Sequence, residues 1–331
     1  MNQLVCSGFE EWADSVHKSD NRVMLAGPEE SSWWIRTVTF DHLSVQTAQE
    51  GAANILHGAS VPDTVHFLLA LSGAPFSLNG TDFSRTSVGV LTPSQAFTTR
   101  AQGRNVWTTI CVPPELASGL LTSGEHRKAH RWHDRIHHLR ARPLEWRRLA
   151  GLVERITTPD SSARLHLNGD GACTIEDELM YALSLLLNLP SDTGSRRGGR
   201  PELRRQLILD RALEWIHARP DHPLRIADLS SAAGVSERTL RDVFVEYFGM
   251  GPLTYIRTCQ LHRIRAALLR AEPGQATVTS VAMRLGVWDL DTMAGRYRHL
   301  FGERPSVTLR RKGIRSTPVE DGLPIDMRSN V

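Results

Sequence analysis

Long apolar runs are missing from this chain. No stretch approaches the eighteen or so residues that a membrane-spanning helix needs, so no membrane association is expected. The N-terminal MNQLVCSGFEEWADS has neither a basic start nor an apolar h-region, so no signal peptide is expected. Cysteine is scarce: Cys6, Cys111, Cys173 and Cys259 lie far apart, with no CxxC pair. That spacing excludes a sequence-readable zinc ribbon or disulfide scaffold. It fits a cytoplasmic protein in a reducing compartment, each thiol acting as a small buried hydrophobe. The common motifs of catalysis and phosphate binding are absent too: no GxSxG, no HExxH, no phosphate loop and no GxGxxG after a strand.

What is present is an ordinary globular composition, 40% hydrophobic and 23% charged, over 331 residues, which argues for two domains. The net charge of +3 is unevenly spread. Residues 1–195 carry 16 Lys and Arg against 21 Asp and Glu, whereas residues 196–315 carry 22 against 12. A segment of net +10 joined to one of net −5 suggests a polyanion partner for the basic part. The stretch 191–201, polar and rich in Gly and Arg, cannot bury a core and reads as a flexible linker.

Before the linker, short runs rich in Val, Ile, Thr and aromatics occur at 33–40, 43–47, 65–71, 87–92 and 105–112, separated by turn-formers such as Asn79-Gly80. They predict an antiparallel sandwich or barrel. Trp33, Trp34, Phe67, Phe76, Phe97 and Trp107 are read chiefly as its core. After Pro113-Pro114 the pattern turns helical, at 144–156 and 174–189. The second of these opens with a capping-box-like Thr174 and Asp177. Its apolar arc is wide enough to meet another helix or another subunit.

Residues 202–313 read as helices throughout: 203–218, 226–233, 237–248, 253–271, 278–285 and 291–301, then a short basic segment. Within them lies a degenerate duplication. Ile226, Leu229, Gly234 and Val235 match Val278, Val281, Gly286 and Val287 at an offset of 52, and Leu240, Phe244, Gly249 and Pro252 match Met293, Tyr297, Gly302 and Pro305 at 53. Each copy is a short helix, a Gly turn and a longer helix, the helix-turn-helix pattern. In the first copy Ser236 is the natural N-cap and Glu237, Arg238, Thr239, Arg241 and Asp242 occupy the first two turns, from which a recognition helix touches base edges. Arg238 and Arg241 suit bidentate contacts to guanine, each worth about 1–3 kcal/mol of discrimination. In the second copy Leu290, Asp291, Thr292, Arg296 and Arg298 face outward. Leu290 and Thr292 suit thymine methyls; Arg296 and Arg298 suit phosphates.

On these residues the stretch from about 203 to 312 resembles the DNA-binding domain of the AraC/XylS family of bacterial transcriptional regulators. The match runs from Ile226 through Gly234 to Phe244, then Phe248-Gly249, Pro252, Tyr255 and the Arg257…Leu261…Arg263…Ala266…Leu269 pattern of a linker helix. Its second part is Val281-Ala282…Leu285-Gly286-Val287…Tyr297 to Gly302…Pro305. The resemblance implies two units on one face of double-stranded promoter DNA, reading successive major-groove segments, and RNA polymerase as a partner of an activator. Residues 1–190 loosely resemble the sensor and dimerisation domain of such regulators, a cupin-like β sandwich or barrel followed by helices. That implies an α+β chain, a homodimer and a small-molecule or stress signal. The family's usual Arg near the end of each recognition-helix core is replaced here by Asp242 and Gly295.

A competing reading is a cupin-type metalloenzyme fused to a helical module. His126, His130, His133, His137 and His138 have helical spacings able to hold a metal, but basic residues crowd them. His42, His57 and His66 lack the metal-binding cupin spacing, so no metal or other cofactor is expected. A third reading is a helical adaptor that binds protein alone. Residues 314–331 have no periodic pattern and are expected to form a disordered tail.

Overall fold

The computed structural model describes residues 2–6, 8–16, 19–122, 136–158, 170–187, 200–219, 225–271, 274 and 276–311. The N-terminal part comprises β1 (Asn2–Cys6), α1 (Phe9–Ser15), β2 (Ser19–Leu25), β3 (Trp33–Thr39), β4 (Ser44–Glu50), β5 (Asn54–Ser60) and β6 (Val65–Gly73). There follow β7 (Phe76–Leu78), β8 (Thr81–Phe83), β9 (Ser87–Leu91), β10 (Ala96–Ala101), β11 (Asn105–Val112), α2 (Pro114–Thr122), β12 (His137–Arg140), α3 (Pro143–Thr157) and α4 (Asp170–Leu187). Two sheets form a sandwich. One has seven strands in the order β1-β3-β4-β11-β6-β9-β12, the other five in the order β2-β5-β10-β7-β8. Every pairing is antiparallel.

The seven-stranded sheet is covered on both faces. Its inner side chains, among them Ile35, Ala48, Leu68 and Trp107, meet Leu56, Phe76, Leu78 and Phe97 of the other sheet. On its outer face Val45, Phe67, Leu69, Val90 and Ile110 pack under Leu149, Val153, Leu179 and Leu183 of α3 and α4. Double burial explains the near-continuous apolar runs in β6 and β11. It also explains β4, whose seven residues are all buried although most are polar. Its groups pair internally: Thr47 with Thr108 at 3.0 Å, and Gln49 Nε2 donating to the Ser32 carbonyl at 2.7 Å.

The five expected strands are present, and several more flank them. β1, β2, β5 and β10 hold too many polar or turn-forming residues, such as Asp20, Asn21 and Gly58, to register as strand runs. β7 and β8 are only three residues each, joined by Asn79-Gly80 with φ of 48° and 74°, the backbone of a two-residue hairpin turn.

Other boundaries are corrected. α4 starts at Asp170, so Thr174 lies inside the helix rather than at its N-cap. The wide apolar arc of α4 is consumed within the chain, against α3 and the sheet, and leaves Tyr181 as its exposed large side chain. His137 and His138 lie on strand β12, so the helical histidine spacing does not extend to them. His126, His130 and His133 are outside the described residues, as is the stretch 312–331. No helix of the described residues is long and apolar enough to cross a membrane.

The C-terminal part is all helical: α5 (Arg200–His217), α6 (Ile226–Ala233), α7 (Glu237–Phe248), α8 (Pro252–Arg270), α9 (Val278–Arg284), α10 (Leu290–Phe301) and α11 (Pro305–Arg310). α5 begins at Arg200, inside the stretch read as linker. α8 ties the two halves of this part together. Tyr255, near its start, packs with Phe244 and Phe248 of α7, and Leu261, Ile264 and Leu268 pack with Val281, Met293 and Tyr297 of α9 and α10.

Candidate nucleic-acid interface

The two helix-turn-helix units are built by the same local devices. In the first, Gly234 at φ 68° ends α6; its N–H donates to the Ser231 carbonyl (3.1 Å) and that of Val235 to Ser230 (3.0 Å). In the second, Gly286 at φ 76° donates to Met283 (3.0 Å), and Val287 donates to Ala282 (2.9 Å). This paired closure satisfies the last helix carbonyls and needs a left-handed residue that glycine adopts without strain.

Each reading helix is then capped by a side chain. Ser236 Oγ accepts from the Thr239 N–H at 3.2 Å, and Asp289 Oδ1 accepts from the Thr292 N–H at 3.1 Å. Both helices end on a left-handed glycine, Gly249 at φ 69° and Gly302 at φ 71°, and both are followed by a helix with proline in its first turn. The cap-to-cap offset is therefore 53 where the turn glycines are offset by 52, as the sequence repeat has it. The duplication reaches one helix further back. Leu209, Ala212 and Ile216 of α5 correspond to Leu261, Ile264 and Leu268 of α8, and all six are buried.

The faces sort as expected. Leu240, Val243, Phe244, Tyr247 and Phe248 are buried in α7, and Met293, Tyr297, Leu300 and Phe301 in α10. Glu237, Arg238, Thr239, Arg241 and Asp242 are exposed along the start of α7, and Asp291, Thr292, Arg296 and Arg298 along α10. Two of the expected contact residues are partly engaged. Leu290 is half-buried against the second unit's core, and the Ser236 hydroxyl is taken up by its cap and by Thr239 Oγ1 at 2.9 Å. Gly295 is exposed where the equivalent Asp242 is exposed, so the second helix has no side chain at that position.

Comparison with known proteins bears on this geometry. The family described as "Helix-turn-helix domain" matches residues 229–311. The "Probable thc operon regulatory protein" of Rhodococcus erythropolis is 33% identical over 103 residues, 31% of this chain and 31% of that protein. The "XylDLEGF operon transcriptional activator 2" of Pseudomonas putida is 32% identical over 133 residues, 39% of this chain and 80% of that protein. The chain belongs to the AraC/XylS family of transcriptional regulators. It spans about a third of the length of the first curated relatives it matches. A solved structure described as a probable AraC family transcriptional regulator, from Rhodopseudomonas palustris CGA009, is 31% identical. It covers 32% of this chain and 97% of its own, with a TM-score of 0.30.

In this AraC/XylS-family chain the N-terminal sandwich packs against α8 and also meets the C-terminal end of α7, where Gly80 lies beside Glu246 and Arg100 beside Gly249. Arg265 of α8, 4% exposed, pairs with Glu10 of α1 and, at 2.9 Å, with Glu303 after α10, its guanidinium 4.7 Å from the Phe301 ring. His262 Nε2 lies 3.2 Å from the Leu25 carbonyl of β2, its ring between Phe9 (5.7 Å) and Phe301 (5.0 Å). The Cys259 thiol faces Met24 Sδ at 3.6 Å. Burial lowers the His262 pKa to about 4, against the opposing pull of the Leu25 carbonyl and Glu10. Burial also pushes Glu10 upward, but the hydrogen bond and charge of Arg265 outweigh it and hold the carboxyl below its usual range. Nothing in the sequence marks this contact, because its partners lie about 240 residues apart.

Between its two sheets this chain has a cavity. It is lined by Leu56, Leu68, Phe76, Leu91, Phe97 and Trp107, with Gln46, Glu50, His66, Thr99 and Thr109 among the polar groups. It holds about 650 Å³ of space free of atoms, some of it open to solvent. Trp107 Nε1 donates to Glu50 Oε1 at 2.9 Å, and Asn105 donates to the other oxygen. Burial pushes the Glu50 carboxyl above the usual carboxylate range, against its bonds from Asn54, Asn105 and Trp107. Phe76, Phe97 and Trp107 line this space while remaining buried in the core with Trp33 and Phe67, as read from sequence; Trp34 is only half-buried, under the Arg36 guanidinium. Among the described residues no group of three or more His, Cys, Asp or Glu is placed to hold a metal ion.

Proposed function

We propose that this AraC-type DNA-binding transcriptional regulator reads two adjacent major-groove segments of promoter DNA with α7 and α10, and that its β sandwich senses a small molecule. The observation that carries the DNA reading is the pair of capped reading helices in a basic domain with their polar faces exposed. Arg238 and Arg241 take guanine edges; Thr239, Glu237, Asp242 and the Ser236 backbone line the same groove. Asp291, Thr292 and Leu290 face the second groove, and Arg296 and Arg298 hold phosphates. The domains run 1–190 for sensing and dimerisation and 202–313 for DNA, with the linker and the tail at 314–331 between and after them.

For the signal, the cavity favours a small, largely apolar molecule with one or two hydrogen-bonding groups. The raised Glu50 carboxyl supports a neutral ligand over an anionic one. Action as a cytoplasmic homodimer that recruits RNA polymerase belongs to the same proposal. It rests on the family layout and on relatives described as operon activators.

The test is selection of duplexes from a random pool by the full-length protein at moderate salt. A recovered motif with two half-segments about one helical turn apart is the expected result. Recovery of no motif, with equal affinity for all duplexes, refutes the proposal.

A further inference from the structure

The second unit carries one residue more than the first between its turn glycine and its helix cap. Gly234-Val235 leads straight to the cap Ser236, whereas Gly286-Val287 is followed by Trp288 and only then by the cap Asp289. The extra residue is therefore a tryptophan, set immediately ahead of a reading helix. It is 73% exposed, the most exposed large apolar side chain among the described residues. A single exposed aromatic is unremarkable in itself. Its surroundings are what matter.

Trp288 lines an open cleft between α8 and α10, together with Arg257, Gln260, Asp289, Thr292 and Arg296. Arg257 and Arg296 are both exposed. In the first unit the position equivalent to Arg296 is Val243, which is 1% exposed, so the second unit opens to solvent where the first is filled. The same unit has Gly295 in place of a reading side chain. It has lost a hydrogen-bonding reader and gained a flat apolar one flanked by two cations.

Building on the proposed DNA reading, we infer that Trp288 is a further specificity-determining residue: its indole packs against the sugar and base edge of the segment under α10, while Arg257 and Arg296 take the phosphates on either side. Charge favours this occupant. Two arginines, Arg257 and Arg296, line the cleft against one carboxylate, Asp289, which is engaged in capping α10. An acidic protein partner is the alternative outcome of the test. Indole fits the contact because it offers a large apolar surface with few rotatable bonds to order. It discriminates by shape and by thymine methyls rather than by a hydrogen-bond pattern.

The experiment uses the full-length protein and duplexes it selects from a random pool, with Trp288→Ala and Trp288→Phe compared with wild type and with Arg238→Ala. Circular dichroism melts check that the variants fold alike. Trp288→Ala is expected to weaken binding to the selected duplex roughly tenfold, within the range of one good base contact. Its reselected motif should lose information under the second unit alone, Arg238→Ala should lose it under the first, and Trp288→Phe should retain most of both. An unchanged affinity and motif for Trp288→Ala overturns the inference. So does unchanged DNA binding with loss of promoter activation in cells, which assigns the tryptophan to a protein partner. A wild-type protein that selects no motif at all refutes the DNA reading itself, a result separable from failure of the tryptophan.

Discussion

Removing either end of the Glu10–Arg265 pair tests whether α8 couples the two domains. Arg265 is 5% exposed at its side chain, Glu303 11% and Glu10 35%. Arg265→Ala strands Glu303 with the Arg311 guanidinium at 2.8 Å and the Thr308 hydroxyl at 2.8 Å, and deletes the contact over Phe301. Breaking a fully buried pair costs about 3–5 kcal/mol. The residual partners of Glu303 and the partial exposure of Glu10 lower that to about 2–3 kcal/mol. Glu10→Ala leaves Arg265 paired with Glu303, so it costs about 1–2 kcal/mol, the worth of one charged hydrogen bond.

In the double variant the two losses should fall short of their sum by about 1 kcal/mol, the coupling across the domain interface. Hydrogen exchange of the α8 amides reads this locally, so it holds even where the domains melt separately. Additivity within about 0.3 kcal/mol refutes the coupling. The pH dependence has a definite sign. Arg265 stays charged, and Glu10 titrates below its ordinary 4.5 in the folded state. The coupling is thus fully present above that value and is lost as pH falls through the lowered one.

Other consequences are as direct. Arg238→Ala and Arg241→Ala should each relax sequence preference in one groove, whereas Arg298→Ala should weaken binding to all duplexes alike and flatten the salt slope; equal losses on every sequence for the first two contradict base reading. Gly295 has ordinary helical backbone with open space where a Cβ would sit, so Gly295→Ala should stabilise the chain by about 0.5–1 kcal/mol in a urea melt. A drop instead means the site tolerates no side chain. His262 titrates near 4 when folded against 6.5 when free, so its contribution is complete above pH 6.5 and declines as pH falls toward 4, by at most about 3 kcal/mol. His262→Gln should flatten the melting temperature over that window; the same slope in both proteins rules His262 out as its source.

The sequence alone settled the helical half of this protein and its family. Its signals are local: a left-handed glycine closing the turn, Ser236 three residues ahead of the N–H it caps, apolar positions three and four apart on α7 and α10. Such interactions are complete within a few residues, so their spacing survives in the letters, down to the one-residue shift of the repeat. The shift was legible, but not that the added residue, Trp288, stands out in solvent beside a cleft; the exposure of one side chain depends on every element around it. The β half was legible in its five richest runs, which became β3, β4, β6, β9 and β11. The short β7 and β8, the edge strands β1 and β2, and the polar β5 and β10 owe their place to pairing with partners elsewhere in the chain. Burial of Glu50 beside Trp107, and of Arg265 between Glu10 and Glu303, was likewise decided in three dimensions, because a charge's environment is set by what folds onto it, and Glu10 lies 255 residues from Arg265 in the chain.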